Sequence, residues 1–287
     1  MKIGSLCTGY GGLDLAVEEF FNARTVWTSD TDKSASKVIE QRFNVPNLGD
    51  LKLIDWSKVE PIDIMTAGYP CQPFSHAGER KGFEDERHIW PHIKEAISIL
   101  RPKYVVLENV RGHLTLGFDS VLGDLAEIGY DARWAIVRAS DIGAPHKRER
   151  LFVVAYSNGY AHAESRRADR SIYGETSEII DGSDRHEHGC SCQVISYSDD
   201  QYQPHDGQMS KLGRGLTPRC QMHLQSAPDA LDQDGKLNSK FVEYMMGLPV
   251  GWVTDAGLSR AQELKMLGNG VVPQQAHFAL ERLFACG

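Results

Sequence analysis

The amino-acid sequence predicts an α/β fold: a doubly wound, mostly parallel sheet carrying one small irregular insert. Three observations lead there. Short apolar strand patterns alternate with amphipathic helical patterns over residues 1–155. A glycine-rich turn follows directly on the first strand pattern. Residues 104–107 are nearly all apolar, as a strand is when both faces of its sheet are covered.

The elements follow in order. Residues 2–6 read as a strand ending in the turn Thr8-Gly9-Tyr10-Gly11-Gly12. Leu13, Leu15, Ala16, Val17, Phe20 and Phe21 then share one helical face. A strand over 25–28 closes at Ser29-Asp30, and a helix spans 34–43. Residues 63–67 form a strand leading into "GYPCQPFS". Trp90, Ile93, Ile97 and Leu100 recur at helical spacing until Arg101-Pro102 stops them. The strand at 104–107 follows, then a helical face of Phe118, Val121, Leu122, Leu125 and Ile128, then a strand over 151–155. From 156 to 240 the pattern fails in a stretch rich in Ser, Asp, Gly, His and Arg. Helical pattern returns at 241 and runs to the end. The expected division is a first α/β part (1–155), an insert (156–240) and a return to the first domain (241–287).

Composition narrows the function. Hydrophobic content of 41% and charged content of 24% are those of an ordinary soluble protein, and no apolar run approaches a membrane span. The opening MKIGSLCTGYGG has no apolar core of signal-peptide length, so a cytoplasmic location is expected. Six scattered cysteines do not form a disulfide framework. A net charge of −8 opposes non-specific nucleic-acid binding but leaves room for local basic faces, such as His146-Lys147-Arg148-Glu149-Arg150. A monomer is the expected state.

Several residues suggest chemistry, each with a bland alternative. Ligands of doubly wound sheets bind at the C-terminal ends of the strands, where Gly9, Gly11 and Gly12 lie. Asp30, after the second strand, could accept hydrogen bonds from ribose hydroxyls. The spacing is not the full dinucleotide fingerprint, and a tight turn without a ligand explains it equally well. Asp50 could bind a base amino group or cap its own turn. Cys71 sits at a strand exit between Pro70 and Pro73; it is a positioned thiol or a buried structural cysteine. Glu108 ends an apolar strand beside it, as an acid or as a carboxylate bonded to loop amides. Arg148 and Arg150, one residue apart in an extended segment, would share one side and hold a carbonyl, a phosphate or Glu108.

Taken together, the blocks "GSLCTGYGGLDLA", "WTSDTDK", "GDL", "AGYPCQPFS" with "GERKGFEDER", "LENVRG", "HKRERLFVVA" and "MLGNGVVPQQA" resemble the DNA cytosine-5 methyltransferase family. They cover most of 1–155 and 241–280 in the family's order. The resemblance implies a sheet of the S-adenosylmethionine-dependent methyltransferase type, with 1–155 as the first part of a catalytic and cofactor-binding domain, 156–240 as target-recognition insert and 241–287 as the return to the catalytic domain. It implies S-adenosyl-L-methionine as cofactor and cytosine in double-stranded DNA as target, with a cognate restriction endonuclease as a further candidate partner. Cys71 would be the nucleophile toward C6, Glu108 the acid at N3, Arg150 the holder of the base carbonyl and Arg148 a brace. Gln72 and Ser75 would belong to the loop closing over a flipped base. Cys7, Thr8, Gly9, Gly11, Gly12 and Leu13 would wrap the cofactor, with Asp30 and Thr31 at its ribose and Asp50 and Leu51 at its adenine. Pro70, Asn269 and Val271 would complete that pocket.

The chain departs from the family pattern at Cys7 (often phenylalanine), Asp30 (usually glutamate), Thr31, His146 (often glutamine) and Gly270 (commonly serine). Altered cofactor binding is expected there, with the chemistry kept. An RNA cytosine-5 methyltransferase and a catalytically weak DNA-binding relative are the alternatives within the resemblance. A nicotinamide oxidoreductase would leave Cys71, Glu108 and the arginines unexplained. An amino-methylating enzyme needs a Pro-Pro motif, which this chain lacks. The His and Cys residues between 186 and 223 lack zinc-site spacing, and no metal is expected.

Overall fold

The computed structural model describes residues 1–70, 89–157 and 227–285. Among these, six strands form one sheet: β1 (Lys2–Leu6), β2 (Arg24–Ser29), β3 (Ile64–Gly68), β4 (Tyr104–Val110), β5 (Tyr130–Arg138) and β6 (Glu149–Ser157). Their order is β2-β1-β3-β4-β6-β5. β2, β1, β3 and β4 run parallel, while β6 is antiparallel to both β4 and β5. The helices are α1 (Gly12–Phe21), α2 (Lys33–Arg42), α3 (Trp90–Leu100), α4 (Phe118–Glu127), α5 (Ser239–Met245), α6 (Arg260–Asn269) and α7 (Pro273–Ala285).

Both faces of the sheet are covered, which is why its central strands read as unbroken apolar runs. Val105 and Leu107 of β4 face a core with Ile93 and Ile97 of α3 and Val121 and Leu125 of α4. Tyr104 and Val106 face the opposite core, with Ala16 and Val17 of α1 and Ala276, Ala279 and Leu280 of α7. Each such Leu, Ile or Val contributes roughly 1.5–3 kcal/mol by leaving water. The helix at the chain's C-terminal end therefore closes the same layer as the helix at its beginning.

One strand escaped the sequence reading. β5 spans nine residues, YDARWAIVR, at the edge of the sheet. Its side chains are mostly half-buried, so its apolar residues follow no strict alternation. The usable signals are the turn at Gly129 (φ +81°) and the cluster of Tyr130, Trp134, Ile136 and Val137. Helix α2 begins at Lys33 because the Asp32 carboxylate caps it, accepting from the Ser34 amide at 2.7 Å.

The segment after α5 returns to the glycine turn. The buried Glu243 carboxylate accepts from the amides of Gly251 (2.8 Å), Val253 (2.6 Å) and Thr254 (3.0 Å) and so shapes the chain there. The Trp252 indole N–H then donates to the Tyr10 carbonyl at 2.8 Å. Most of the expected insert lies outside the described residues. Its described end holds one bridge, Leu231 with Leu237, before α5 begins at Ser239.

Candidate active site

A cavity of about 1090 Å³ opens at the C-terminal ends of β1 to β4. The path of the chain explains its wall. β1 ends at Leu6, and Cys7 turns sharply with φ +52°, its amide donating to Ser29 O at 2.8 Å. Gly9 (φ +58°) donates its amide to the Asp30 carboxylate at 2.8 Å, and nothing lies within 4 Å of where a Gly9 side chain would start. The β1 turn is thereby tied to the end of β2 with one open side. Thr8, Gly12, Leu13, Asp30 and Thr31 all line the cavity. Gly11 stands behind them: it is left-handed, and any Cβ there would strike the Phe43 ring.

Asp30 is held by loop amides, those of Gly9 and Asp32, both at 2.8 Å. Burial raises its pKa, against the lowering effect of these bonds. Asp50 caps its own turn, accepting from the Lys52 amide at 3.0 Å, and lines the cavity with Leu51. The two readings of Asp50 are thus compatible. Cys7 lies near enough to both acids that Asp30 and Asp50 add to the effect of burial, which pushes the thiol up to about 12. Such a thiol is no nucleophile at neutral pH.

Asn47 was not legible as a site residue. Its side-chain oxygen accepts from the Asp30 amide (3.0 Å) and the Gly49 amide (3.2 Å), and its nitrogen donates to Asp30 O (3.1 Å). It fixes the Asp30 and Asp50 loops relative to each other. The available signal was an Asn two residues before a Gly in a loop, which marks turns of many kinds.

On the other side of the cavity Gly68 of β3 pairs with Glu108 of β4. Glu108 Oε2 lies 3.6 Å from where a Gly68 Cβ would be, so the absent side chain leaves room above the carboxylate. Arg150 of β6 lies opposite Val110, hence diagonal to Glu108 on the same face. Arg150 Nε meets Glu108 Oε1 at 2.9 Å, with side chains 17% and 9% exposed. Burial raises the Glu108 pKa to about 7, outweighing the attraction of Arg150 and Arg148. The carboxyl therefore carries a proton part of the time at neutral pH.

Arg148 departs from the expected geometry. It precedes β6 with a left-handed backbone (φ +28°), so the strand alternation that would align it with Arg150 does not reach it. Its guanidinium donates to Gly268 O at 3.0 Å and to Gly270 O. These carbonyls belong to the segment that presents Asn269 and Val271 to the cavity. The Val271 carbonyl also accepts from the Tyr10 hydroxyl at 2.7 Å.

Cys71, Gln72 and Ser75 lie outside the described residues, as do the His and Cys residues at 186–223. The stem before Cys71 is described. Tyr69 O accepts from Asn109 Nδ2 at 3.1 Å. Because His113 Nδ1 faces the Leu116 carbonyl (2.9 Å), it carries the ring proton, and Nε2 accepts from the Tyr69 hydroxyl at 2.9 Å. Burial lowers the His113 pKa, which favours this neutral form. Tyr69 is thus fixed through backbone and side chain, and Pro70 reaches the cavity. Among the described residues no group of three His, Cys, Asp or Glu could hold a metal, and no helix is long and apolar enough to cross a membrane.

The donor set suits a nucleoside with a charged tail. Acids stand at the β2 side, an open glycine turn at β1, and a carboxyl–arginine pair at the far wall.

Solved structures share the fold. The S. pombe Dnmt2 methyltransferase superposes with a TM-score of 0.62 at 16% identity, over 100% of this chain and 99% of that one. The Entamoeba histolytica methyltransferase EhMeth gives 0.63 at 18%, over 100% and 98%. The fold is that of the S-adenosylmethionine-dependent methyltransferases. Among curated proteins, type II methyltransferase M.NgoBI of Neisseria gonorrhoeae is 38% identical over 162 residues, 55% of this chain and 51% of that protein. M.HhaI of Haemophilus parahaemolyticus is 33% identical over 163 residues, 55% and 50%. The chain spans about half the length of these relatives. The model of the C-5 cytosine-specific DNA methylase family matches residues 1–188, and the chain belongs to that family.

Proposed function

We propose that this protein transfers a methyl group from S-adenosyl-L-methionine to C5 of cytosine in double-stranded DNA. The observation that carries the reading is the buried Glu108–Arg150 pair, one strand away from the stem of the Cys71 loop. When bound, the cofactor supplies an electrophilic methyl group on a sulfonium. The chain's own residues do the rest. The Cys71 thiolate adds to C6 of a base swung out of the duplex, which makes C5 nucleophilic. Glu108 donates a hydrogen bond or proton to N3, where charge develops on addition. Arg150 holds Glu108 and the base carbonyl. Arg148 braces the return segment that carries Asn269 and Val271. After transfer the C5 proton leaves and the sulfur is eliminated from C6.

Gln72 and Ser75 belong to the loop over the base. Residues 156–240 serve as the target-recognition insert, and 241–287 complete the first domain. The reading makes the protein a monomeric, cytoplasmic modification enzyme, with a restriction endonuclease as its candidate partner.

The test is methyl transfer from labelled cofactor into duplex DNA and RNA, followed by mapping of the modified base. The expected product is 5-methylcytosine in DNA. Label in RNA alone would move the substrate to RNA, and no label in either would refute the activity. Duplex bearing 5-fluorocytosine should be trapped covalently, and Cys71→Ser should abolish trapping and lower transfer by roughly 10³-fold or more. Trapping that persists in the variant would exclude Cys71 as nucleophile. Asn47→Ala should weaken cofactor binding about tenfold, because the Asp30 and Asp50 loops lose their common anchor. Unchanged affinity by calorimetry would show that the loops hold without it.

A further inference from the structure

Asp14 is a buried carboxylate that the mechanism above does not use. It lies in the first turn of α1, is 1% exposed, and lines the cavity floor. Its Oδ2 accepts from the Ser5 hydroxyl at 2.9 Å and its Oδ1 from the Thr66 hydroxyl at 2.5 Å. Ser5 Oγ is in turn 2.9 Å from Thr8 Oγ1. Among the described residues, no lysine or arginine pairs with Asp14.

Counting protons fixes the direction of this chain. A hydroxyl has one hydrogen. With Asp14 ionised, Ser5 must give its hydrogen to the carboxylate. The short Ser5–Thr8 contact then requires the hydrogen of Thr8. Thr8 lines the cavity with its hydrogen turned inward, so its oxygen can only accept from a ligand. Were Asp14 protonated, it could donate to Ser5 and Ser5 to Thr8, and the Thr8 hydrogen would turn away from Ser5 Oγ, toward the Ser5 carbonyl at 3.4 Å or the cavity. The charge on Asp14 thus sets whether the Thr8 oxygen keeps its lone pairs for a ligand or gives one of them to the Ser5 hydroxyl. The carboxylate also lacks a countercharge of its own, and a buried charge needs one.

We propose that Asp14 is a positioning residue for the amino-acid end of the cofactor: ionised, it orients the Thr8–Ser5–Asp14 hydroxyl chain so that Thr8 accepts from the α-ammonium group. The inference rests on the S-adenosylmethionine reading and adds a site to it. Burial pushes the Asp14 carboxyl up to about 6, held back by the Thr66 and Ser5 bonds and raised further by Glu18. The switch therefore falls within reach of a binding experiment. Other titratable groups border the region: Glu18 on α1, His277 and Glu281 on α7, which packs on α1, and Cys7, Asp30 and Glu108 around the cavity. The experiment has to separate them from Asp14.

Two ligands do so by calorimetry: S-adenosylhomocysteine, and its deaminated analogue, which differs only at the α-ammonium. For wild type, S-adenosylhomocysteine should bind several-fold more weakly at pH 5.5 than at pH 7.5, and binding at pH 5.5 should release protons. The deaminated analogue should lack most of this pH dependence, while effects of Asp30 and Glu108 remain common to both ligands. Asp14→Asn should weaken S-adenosylhomocysteine about tenfold at pH 7.5, flatten its pH profile, and leave the analogue nearly unchanged. Thr8→Val, which keeps the shape and removes the acceptor, should do the same. Equal weakening of both ligands would reduce Asp14 to a structural strut, and an unaltered pH profile in both variants would overturn the proposal. Failure of wild type to bind either adenosyl ligand would instead remove the cofactor reading, and this inference with it.

Discussion

Replacing Glu108 by glutamine should slow methyl transfer about 10²-fold or more while the protein stays folded and binds its cofactor. Glutamine keeps the shape and can still accept from Arg150 Nε, but it has no acidic proton to give. General-acid contributions are typically 10²–10⁴-fold. A second signature separates this from general damage. Burial holds the Glu108 carboxyl near 7, so in wild type the donor form is lost as pH rises past that point. The alkaline fall of the wild-type rate should disappear in the variant. A wild-type rate in Glu108→Gln would remove the acid role altogether.

Stability gives an independent check with a definite sign. The folded pKa of Glu108 lies above its ordinary value, from 4.5 to about 7. The folded state therefore binds the proton more tightly than the unfolded chain. Stability from this group is complete below about 4.5 and declines as pH rises to about 7. Glutamine cannot ionise, so between pH 5 and pH 8 the variant should gain on wild type in melting temperature. Glu108→Ala should behave differently, costing about 1–3 kcal/mol at neutral pH by leaving Arg150 Nε, on a largely buried side chain, without its acceptor. If the alanine variant melts like the glutamine variant, Arg150 does not depend on an acceptor at position 108.

The second large effect is expected at Gly270. A Cβ there would collide with the Tyr10 ring, as one on Gly12 would with the Val271 carbonyl. Tyr10 is fully buried, donates to that same carbonyl at 2.7 Å and receives the Trp252 indole N–H on its own. The ring has nowhere to go. Gly270→Ser should cost roughly 1–3 kcal/mol or more in stability, and displace Asn269 and Val271 from the cavity. Cofactor affinity should fall by at least about tenfold. Shrinking the ring makes room, so Tyr10→Leu combined with Gly270→Ser should recover most of the affinity lost in the serine variant. A double-mutant cycle measures that coupling. Additive effects would mean that the two positions do not constrain each other. The pair also gives a physical reason for one departure from the family pattern: serine is sterically barred at 270 while tyrosine stands at 10.

Strand and helix patterns were readable wherever an element buries one face or both. The helix at α1, the fully apolar β4 and the strand into the Cys71 loop come from local apolar spacing, which reports burial directly. β5 was not readable, because an edge strand is half-wet and owes its existence to pairing with β6. The same division runs through the site. Glu108, Arg150, Asp30 and the glycine turn stand at strand ends, where their position in the chain already suggests a ligand. Asn47, Asp14, His113 and Tyr10 each act in part through a partner 17 to 261 residues distant in the chain, and no local pattern marks them.

Residue types and their periodicity were enough to read a doubly wound sheet, and to point to the strand ends where the cavity opens with Glu108 and Arg150 in its wall. Hydrophobic burial imposes a spacing that a linear chain displays openly. Which way Arg148 turns, which hydroxyl gives its proton to which oxygen, and why position 270 tolerates no side chain were settled only by folding. Those are matters of contact at a few ångströms between groups far apart in the chain, and directional bonds and steric exclusion leave no periodic trace.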